Sequence, residues 1–453
     1  MRRTSRTIAS LAVGGIVWLA TGAAAQPVLT ADDAVKMALQ RNSQIINSNA
    51  DLLSARGSLY RAYSGVLPKV SAGLVHSGSW NENKPGTQAF AGATFETPVR
   101  TEVYQTDPGL SASWNVLNLS AISALSSARL GLKGTAWQRA ATRNLVALLA
   151  RQQFYEVVKA VKLVEVNDNA LQLARDNERR VRVLFEVGSV SRSDLLKSRV
   201  QTAQGQLDSI GALQSLRTQR NSLATLIGVE EAALGEVDTV LSIAPRDYDE
   251  AALLQEARAN RPDLKAAAAG VRAARAAVLS AQLQRVPYLS LSGNAAYNPS
   301  TSSKSTLRDE FGVEFDRSSR SESKRQLGAS IALNWDLFDG LLTDAGIASA
   351  RAGLVRAQDT YDVLSRDLAG EVHEATLTYQ QALAAQNVAG SAVESATESM
   401  KLTQQKYNVG SATILDLIDA QVQLQRAQSQ LVSALAGIRV AEARLDQVRG
   451  RGV

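Results

Sequence analysis

Tyr407-Asn408-Val409-Gly410-Ser411-Ala412-Thr413-Ile414-Leu415-Asp416 stops one long helix and starts another within a few residues, and the reading of the whole chain turns on it. Glycine just past a helix end supplies the left-handed conformation that closes a helix. Thr413 with Asp416 three positions later is a capping box that opens the next one. The segment is therefore a tight helical hairpin. Upstream, from Gly340 to about Lys406, there is no proline, and Leu354, Tyr361, Leu368, Ala375, Ala382, Ala389 and Ala396 recur every seventh position, which is coiled-coil spacing. A helix of about 65 residues rises roughly 100 Å, more than a compact globule accommodates.

The same hairpin occurs earlier. Phe185-Glu186-Val187-Gly188-Ser189 ends a proline-free stretch from about Leu119 to Leu184, and Ser191-Arg192-Ser193-Asp194 repeats the capping box. The two copies stand about 220 residues apart, a period too long for a solenoid and suited to a duplicated domain. Other landmarks recur in order. Thr30-Ala31-Asp32-Asp33 matches Asp247-Tyr248-Asp249-Glu250 as a capping box before a short helix, and breaks follow at Asn42-Ser43 and Arg261-Pro262. Leu67-Pro68 matches Val286-Pro287, and Trp114-Asn115-Val116-Leu117-Asn118 matches Trp335-Asp336-Leu337-Phe338-Asp339. The expected organisation is a first repeat over 26–228, a linker over 229–246 and a second repeat over 247–449.

Each proline opens an extended segment of period two. Leu289, Leu291, Gly293, Ala295 and Tyr297 alternate with Ser290, Ser292 and Asn294, and Leu327, Ala329, Ile331, Leu333, Trp335 and Leu337 follow the same parity. Val70, Ala72 and Leu74, then Leu110, Ala112, Trp114 and Val116, do so in the first half. Strands are expected at about 68–80, 108–118, 287–297 and 327–338. Runs of about ten residues with an aromatic near the end suit a transmembrane barrel wall, whereas a soluble sheet with one wet face is the plainer alternative. The polar segments Asn81 to Asp107 and Asn298 to Gln326 are expected to be exposed outer loops. Four strands cannot close a barrel. Two chains would give eight strands around a filled interior, and three would give twelve around an aqueous bore.

Arg2, Arg3 and Arg6, an apolar run from Ile8 to Leu19 and Ala23-Ala24-Ala25 read as a secretory signal peptide over residues 1–25. Its loss takes Lys+Arg from 49 to 46 against 43 Asp+Glu, so the basic excess falls from six to three and gives little reason to expect nucleic acid. Without cysteine the chain has no disulfide, no thiolate metal site and no lipoprotein anchor. Beyond the leader no apolar run is long enough for a spanning helix, so any membrane crossing is by strands.

Asp416 and Asp419 lie three apart and share a helix face, and threefold symmetry would gather six carboxylates around one axis, a way to select and gate cations. Capping alone also accounts for Asp194 and Asp416, and a solvated face for Asp419; capping and gating are compatible.

Residues 407–420, the first-half Phe185-Glu186-Val187-Gly188-Ser189 with Asp194, and the Trp335-Asp336-Leu337-Phe338-Asp339-Gly340 entry to the long helix together resemble the TolC family of outer-membrane efflux proteins, over essentially the whole mature chain. The resemblance implies a mainly α fold with a transmembrane β-barrel: a homotrimer with a twelve-stranded barrel and an α-helical periplasmic tunnel. It implies docking to a periplasmic adaptor (membrane fusion) protein served by an inner-membrane RND, MFS or ABC transporter, in multidrug efflux or type I secretion, with no cofactor. Val187, Gly188, Ser189, Val409, Gly410 and Ser411 match the adaptor-contacting tips, Asp416 and Asp419 the acidic periplasmic gate, and Tyr407 and Asp194 the links that hold it shut. Some relatives carry an arginine where this chain has Ala412, which shifts that role toward Arg192.

Catalysis finds little support. His76 and His373 have no catalytic partner at a useful spacing, and Ser321-Glu322-Ser323-Lys324, an S-x-x-K match, lies in a polar segment without companion motifs. A periplasmic coiled-coil adaptor or scaffold is the other alternative, but it would have one hairpin flanked by small β domains.

Overall fold

The structure is a computed structural model that describes residues 28–90, 93–241, 245–308 and 314–451. The expected signal peptide lies outside the described residues. The chain divides into two compact units, one of Met1–Asn42, Leu149–Pro245 and Gln381–Ala441, the other of Ser43–Leu148, Arg246–Gln380 and Glu442–Val453.

The helices are α1 (Ala31–Arg41), α2 (Ser43–Tyr63), α3 (Leu119–Glu186), α4 (Arg192–Ile227), α5 (Glu250–Asn260), α6 (Pro262–Leu283), α7 (Leu342–Asn408) and α8 (Ile414–Val448). The long pair, α3 and α7, have 68 and 67 residues. The heptad positions explain α7: Leu368, Ala375 and Ala389 are buried, Leu354, Ala382 and Ala396 half-buried, and Tyr361 is exposed.

In the first unit, α1 is capped by Thr30, whose hydroxyl accepts from the Asp33 amide and donates to the Asp33 carboxylate. Leu29 forms a parallel bridge with Val237, which ties the residue before the Thr30 cap to the segment after α4. Gly228 ends α4 at φ +71° and packs against Arg41, where an added Cβ would come within 2.8 Å of the Arg41 Cβ. In the second unit the matching cap differs from expectation. Asp249 alone caps α5, accepting from the Ala251 amide, because its carboxylate already stands at the helix start and the box from Asp247 is not used.

Small residues bring α3 and α6 together in the second unit. Ser120 and Ser280 each donate to the other's carbonyl at 2.9 Å, and Ser123 and Ser127 donate to the carbonyls of Ala276 and Ala273. Hydroxyls spent on a neighbour's backbone need helix axes close together, which the alanine-rich sequence of α6 allows. Deeper in the unit Arg261, 6% exposed, is held by Asp263 and Glu371.

The sheet has four antiparallel strands in the order β1-β2-β3-β4: β1 (Lys69–Phe90), β2 (Ala93–Asn115), β3 (Tyr288–Arg308) and β4 (Glu314–Asn334). The strands are about twice as long as expected, and 81–90, 93–107, 298–308 and 314–326 are strand where loops were anticipated. Hydropathy alternates only where one face is apolar, whereas ladder hydrogen bonds continue wherever backbones run side by side. A register shift also separates Asn298 from Thr301 in β3, so the side-chain parity there inverts and a period-two reading falls out of phase.

One face of the sheet carries Val70, Leu74, Leu110, Leu291, Leu327 and Ile331, all exposed in the chain. The other carries serine pairs such as Ser71–Ser111 and Ser292–Ser330, with hydroxyls 2.7 Å apart. At the helical end Trp114 donates its indole N–H to the Val66 carbonyl at 2.9 Å, and Trp335, one repeat later, donates to Arg285 at 3.2 Å. Each acceptor lies two residues before the proline that opens the repeat's first strand. At the other margin the Arg325 guanidinium lies over the Tyr297 ring.

Candidate functional site

The hairpin ends belong to the first unit and follow one local design. Gly188 and Gly410 share φ +77°. The Ser189 amide donates to the Leu184 carbonyl at 2.8 Å and the Ser411 amide to Lys406 at 2.9 Å, both closing the preceding helix around the glycine. Ser191 and Thr413 then cap α4 and α8. Their side chains accept from the Asp194 and Asp416 amides, and those carboxylates accept back from the cap amides and hydroxyls. Val187 and Val409 project into solvent at 69% and 79% exposure, so each tip ends in an apolar side chain with no neighbour to cover it.

Behind the tips Val181, Leu195, Met400, Ile414 and Leu417 form a buried cluster, against which Tyr407 packs. A cavity of about 620 Å³ opens beside it, lined by Asp194, Lys197, Tyr407 and Thr413 among others. Asp194 and Tyr407 therefore meet in one cavity but are not bonded to each other. The Asp194 carboxylate is engaged by Ser191, and the buried Tyr407 hydroxyl has no hydrogen-bond partner among the described residues. Burial pushes the Tyr407 phenol above its usual range, the Asp194 charge adds to this, and Arg180 offsets part of it.

Asp416 and Asp419 are exposed on α8. Hydrogen bonds from the Thr413 amide and then the Thr413 hydroxyl hold the Asp416 carboxyl below the usual carboxylate range. Arg192 is exposed, and within the chain it forms no ion pair among the described residues. The two ends differ in charge where they match in backbone: the first-repeat counterpart of Asp419 is Lys197, and that of Tyr407 is Phe185. Sequence reading passed over Lys197, although superposing the two Val-Gly-Ser turns exposes the contrast at once. Arg180, which donates to the Asn408 side chain at 3.2 Å, had no such signal.

His76 pairs with Thr106 at 2.9 Å across β1 and β2, and His373 pairs with Glu250 at 3.2 Å. Ser321 to Lys324 lies within β4, opposite the register shift between Asn298 and Thr301 of β3.

The family model described as outer membrane efflux protein matches residues 253–451. The outer membrane protein TolC of Escherichia coli K12 is 22% identical over 396 residues, covering 87% of this chain and 76% of that protein. The outer membrane protein TolC of Vibrio cholerae is 25% identical over 299 residues, 66% of each. Among solved structures, the outer membrane protein VceC from Vibrio cholerae aligns over 93% of this chain and 96% of its own, with a TM-score of 0.73 at 20% identity. The Campylobacter jejuni CmeC outer membrane channel aligns over 93% and 86%, with a TM-score of 0.75 at 16% identity. The second half of the chain thus resembles the outer membrane efflux protein family, and with its long helices, its two glycine-closed hairpins and its four-stranded sheet the chain shares the fold of these solved outer membrane proteins.

Proposed function

We infer that three copies of this chain form an outer-membrane channel-tunnel, the exit duct of a tripartite efflux system. The observation that carries this is the sheet: four long antiparallel strands with both edges open within the chain and one apolar face. Such a sheet closes only with copies of itself, and twelve strands leave a water-filled bore. From Arg325 to Trp335 the apolar band spans ten residues, roughly 33 Å of strand. At a tilt of about 40° that is about 25 Å, the height of an outer-membrane barrel's apolar band. The helices form the tunnel wall in the periplasm, and a periplasmic adaptor joins the duct to an inner-membrane transporter.

We further propose roles for the hairpin ends. Val187, Gly188, Ser189, Val409, Gly410 and Ser411 form the adaptor contact, supported by the uncovered valines on glycine turns that hold them out. Asp416 and Asp419 form the acidic gate, supported by their exposure on one helix face. Tyr407 and Asp194, facing one cavity, belong to the links that hold the gate closed. Asp194 and Asp416 act as caps in every state and as charge only where the mouth narrows. The duct carries out no reaction, and the transporter behind it sets the substrate.

Fractionation with native mass spectrometry tests the assembly. The expected result is recovery from the outer membrane as a trimer that conducts ions in planar bilayers. A stable monomer in the soluble periplasm would overturn it.

A further inference from the structure

We propose that the apolar face of the sheet seats a phosphorylated lipid of the outer leaflet, its phosphate on Arg325 and an acyl chain in the groove beside Leu110 and Leu327. The inference rests on the barrel reading above and names what that wall binds.

The register places Ala72, Leu110, Ala295 and Leu327 side by side in one row across the four strands. Small and large side chains alternate along it, so the alanines floor a groove and the leucines, 56% and 88% exposed, stand as its walls. The groove measures about 860 Å³ and reaches Tyr297 and Arg325 in the next row. There the apolar band ends. Arg325 sits with its guanidinium carbon 5.6 Å from the centroid of the Tyr297 ring, exposed, with no carboxylate partner among the described residues.

Three features point to an anionic amphiphile. A guanidinium stacked on an aromatic ring is held in place while its donors stay free, and its fork matches phosphate geometry. An aromatic at the edge of an apolar band marks head-group level. An unneutralised cation directly beyond a groove of acyl-chain character is complementary to a molecule with a phosphate at the end of its chains. Glu102 and Lys304 are cross-strand neighbours farther out on this face, and Lys324 is on the opposite one.

The test adds bisphosphorylated lipid A, or the same glycolipid with its phosphates removed, to the purified full-length trimer in detergent and reads retention by native mass spectrometry. The wild type is expected to hold the phosphorylated form roughly tenfold more tightly. Arg325→Gln should bring the two to parity, and Arg325→Lys should keep part of the preference. Ala295→Phe, which fills the groove, should lose both glycolipids. Equal retention by the wild type, a preference that survives Arg325→Gln, or undiminished binding by Ala295→Phe would overturn the proposal while the trimer peak leaves the channel reading standing. A chain that runs only as a monomer would overturn both. Arg325 is exposed, so its substitution keeps the test valid even if the groove-filling variant fails to fold.

Discussion

Gly228 and Gly450 do the same job one repeat apart. Each ends its helix at positive φ, +71° and +77°, and each lies against the break between the short helices of a repeat. A Cβ on Gly228 would come within 2.8 Å of the Arg41 Cβ, and one on Gly450 within 2.9 Å of the Asn260 carbonyl carbon. Gly188 and Gly410 share the backbone conformation but have open space around them. Left-handed geometry alone costs a side chain about 1–2 kcal/mol. Alanine at Gly188 or Gly410 should therefore destabilise by about that much, and alanine at Gly228 or Gly450 by more, because backbone must also move. Thermal unfolding of the four single variants checks the order; equal losses would remove the contact from the account.

The two tryptophans make a second paired prediction. Trp114→Phe and Trp335→Phe keep a ring at the band edge and lose only the hydrogen bonds to Val66 and Arg285. Each should cost about 1 kcal/mol. Detergent-solubilised trimers of both variants should melt a few degrees below the wild type, with insertion unchanged.

Asp416 gives a pH prediction. Its folded-state carboxyl lies below the ordinary value because Thr413 donates to it twice, so its contribution to stability is present above the unfolded pKa and fades as pH falls through the folded one. Asp416→Asn should lower the melting temperature at pH 7, and the gap should close as pH falls below the ordinary carboxylate range and through the folded-state value. A gap independent of pH would mean that the carboxylate's charge is irrelevant to the cap.

These turns and caps were legible in the sequence because their causes are local: a glycine, a hydroxyl and a carboxylate three residues on. The long helices were legible from a seven-residue period held without proline. The outer halves of the strands were not, because serine, threonine and charge on both faces leave no alternation, and the shift after Asn298 inverts what remains. The cavity joining Asp194 to Tyr407 depends on how four helices pack, which no spacing encodes. Nor does any motif announce that Trp114 and Trp335 each reach back to a carbonyl about fifty residues upstream.

Charge and fold can be separated at the acidic face of α8. Asp416→Ala with Asp419→Ala should weaken block by multivalent cations in planar-bilayer recordings, since the proposed ring would lose its carboxylates. Lys197→Asp makes the first repeat resemble the second and should strengthen the block. Block unchanged in both variants would exclude the acidic face of α8 from the mechanism.

The tips allow the sharpest separation of assembly from docking. Val187 and Val409 are exposed and touch little of their own chain, and such surface substitutions usually change stability by no more than about 0.5 kcal/mol. Replacing both with aspartate should therefore leave trimer yield, melting temperature and single-channel conductance at wild-type values. Export should fall by an order of magnitude or more, because a charge buried without a partner in an apolar contact costs several kcal/mol. Bulky residues at Gly188 or Gly410 should abolish export as well, at the cost of backbone strain that the valine variants avoid. If the double aspartate variant assembles and still supports normal export in cells, the adaptor contacts some other surface.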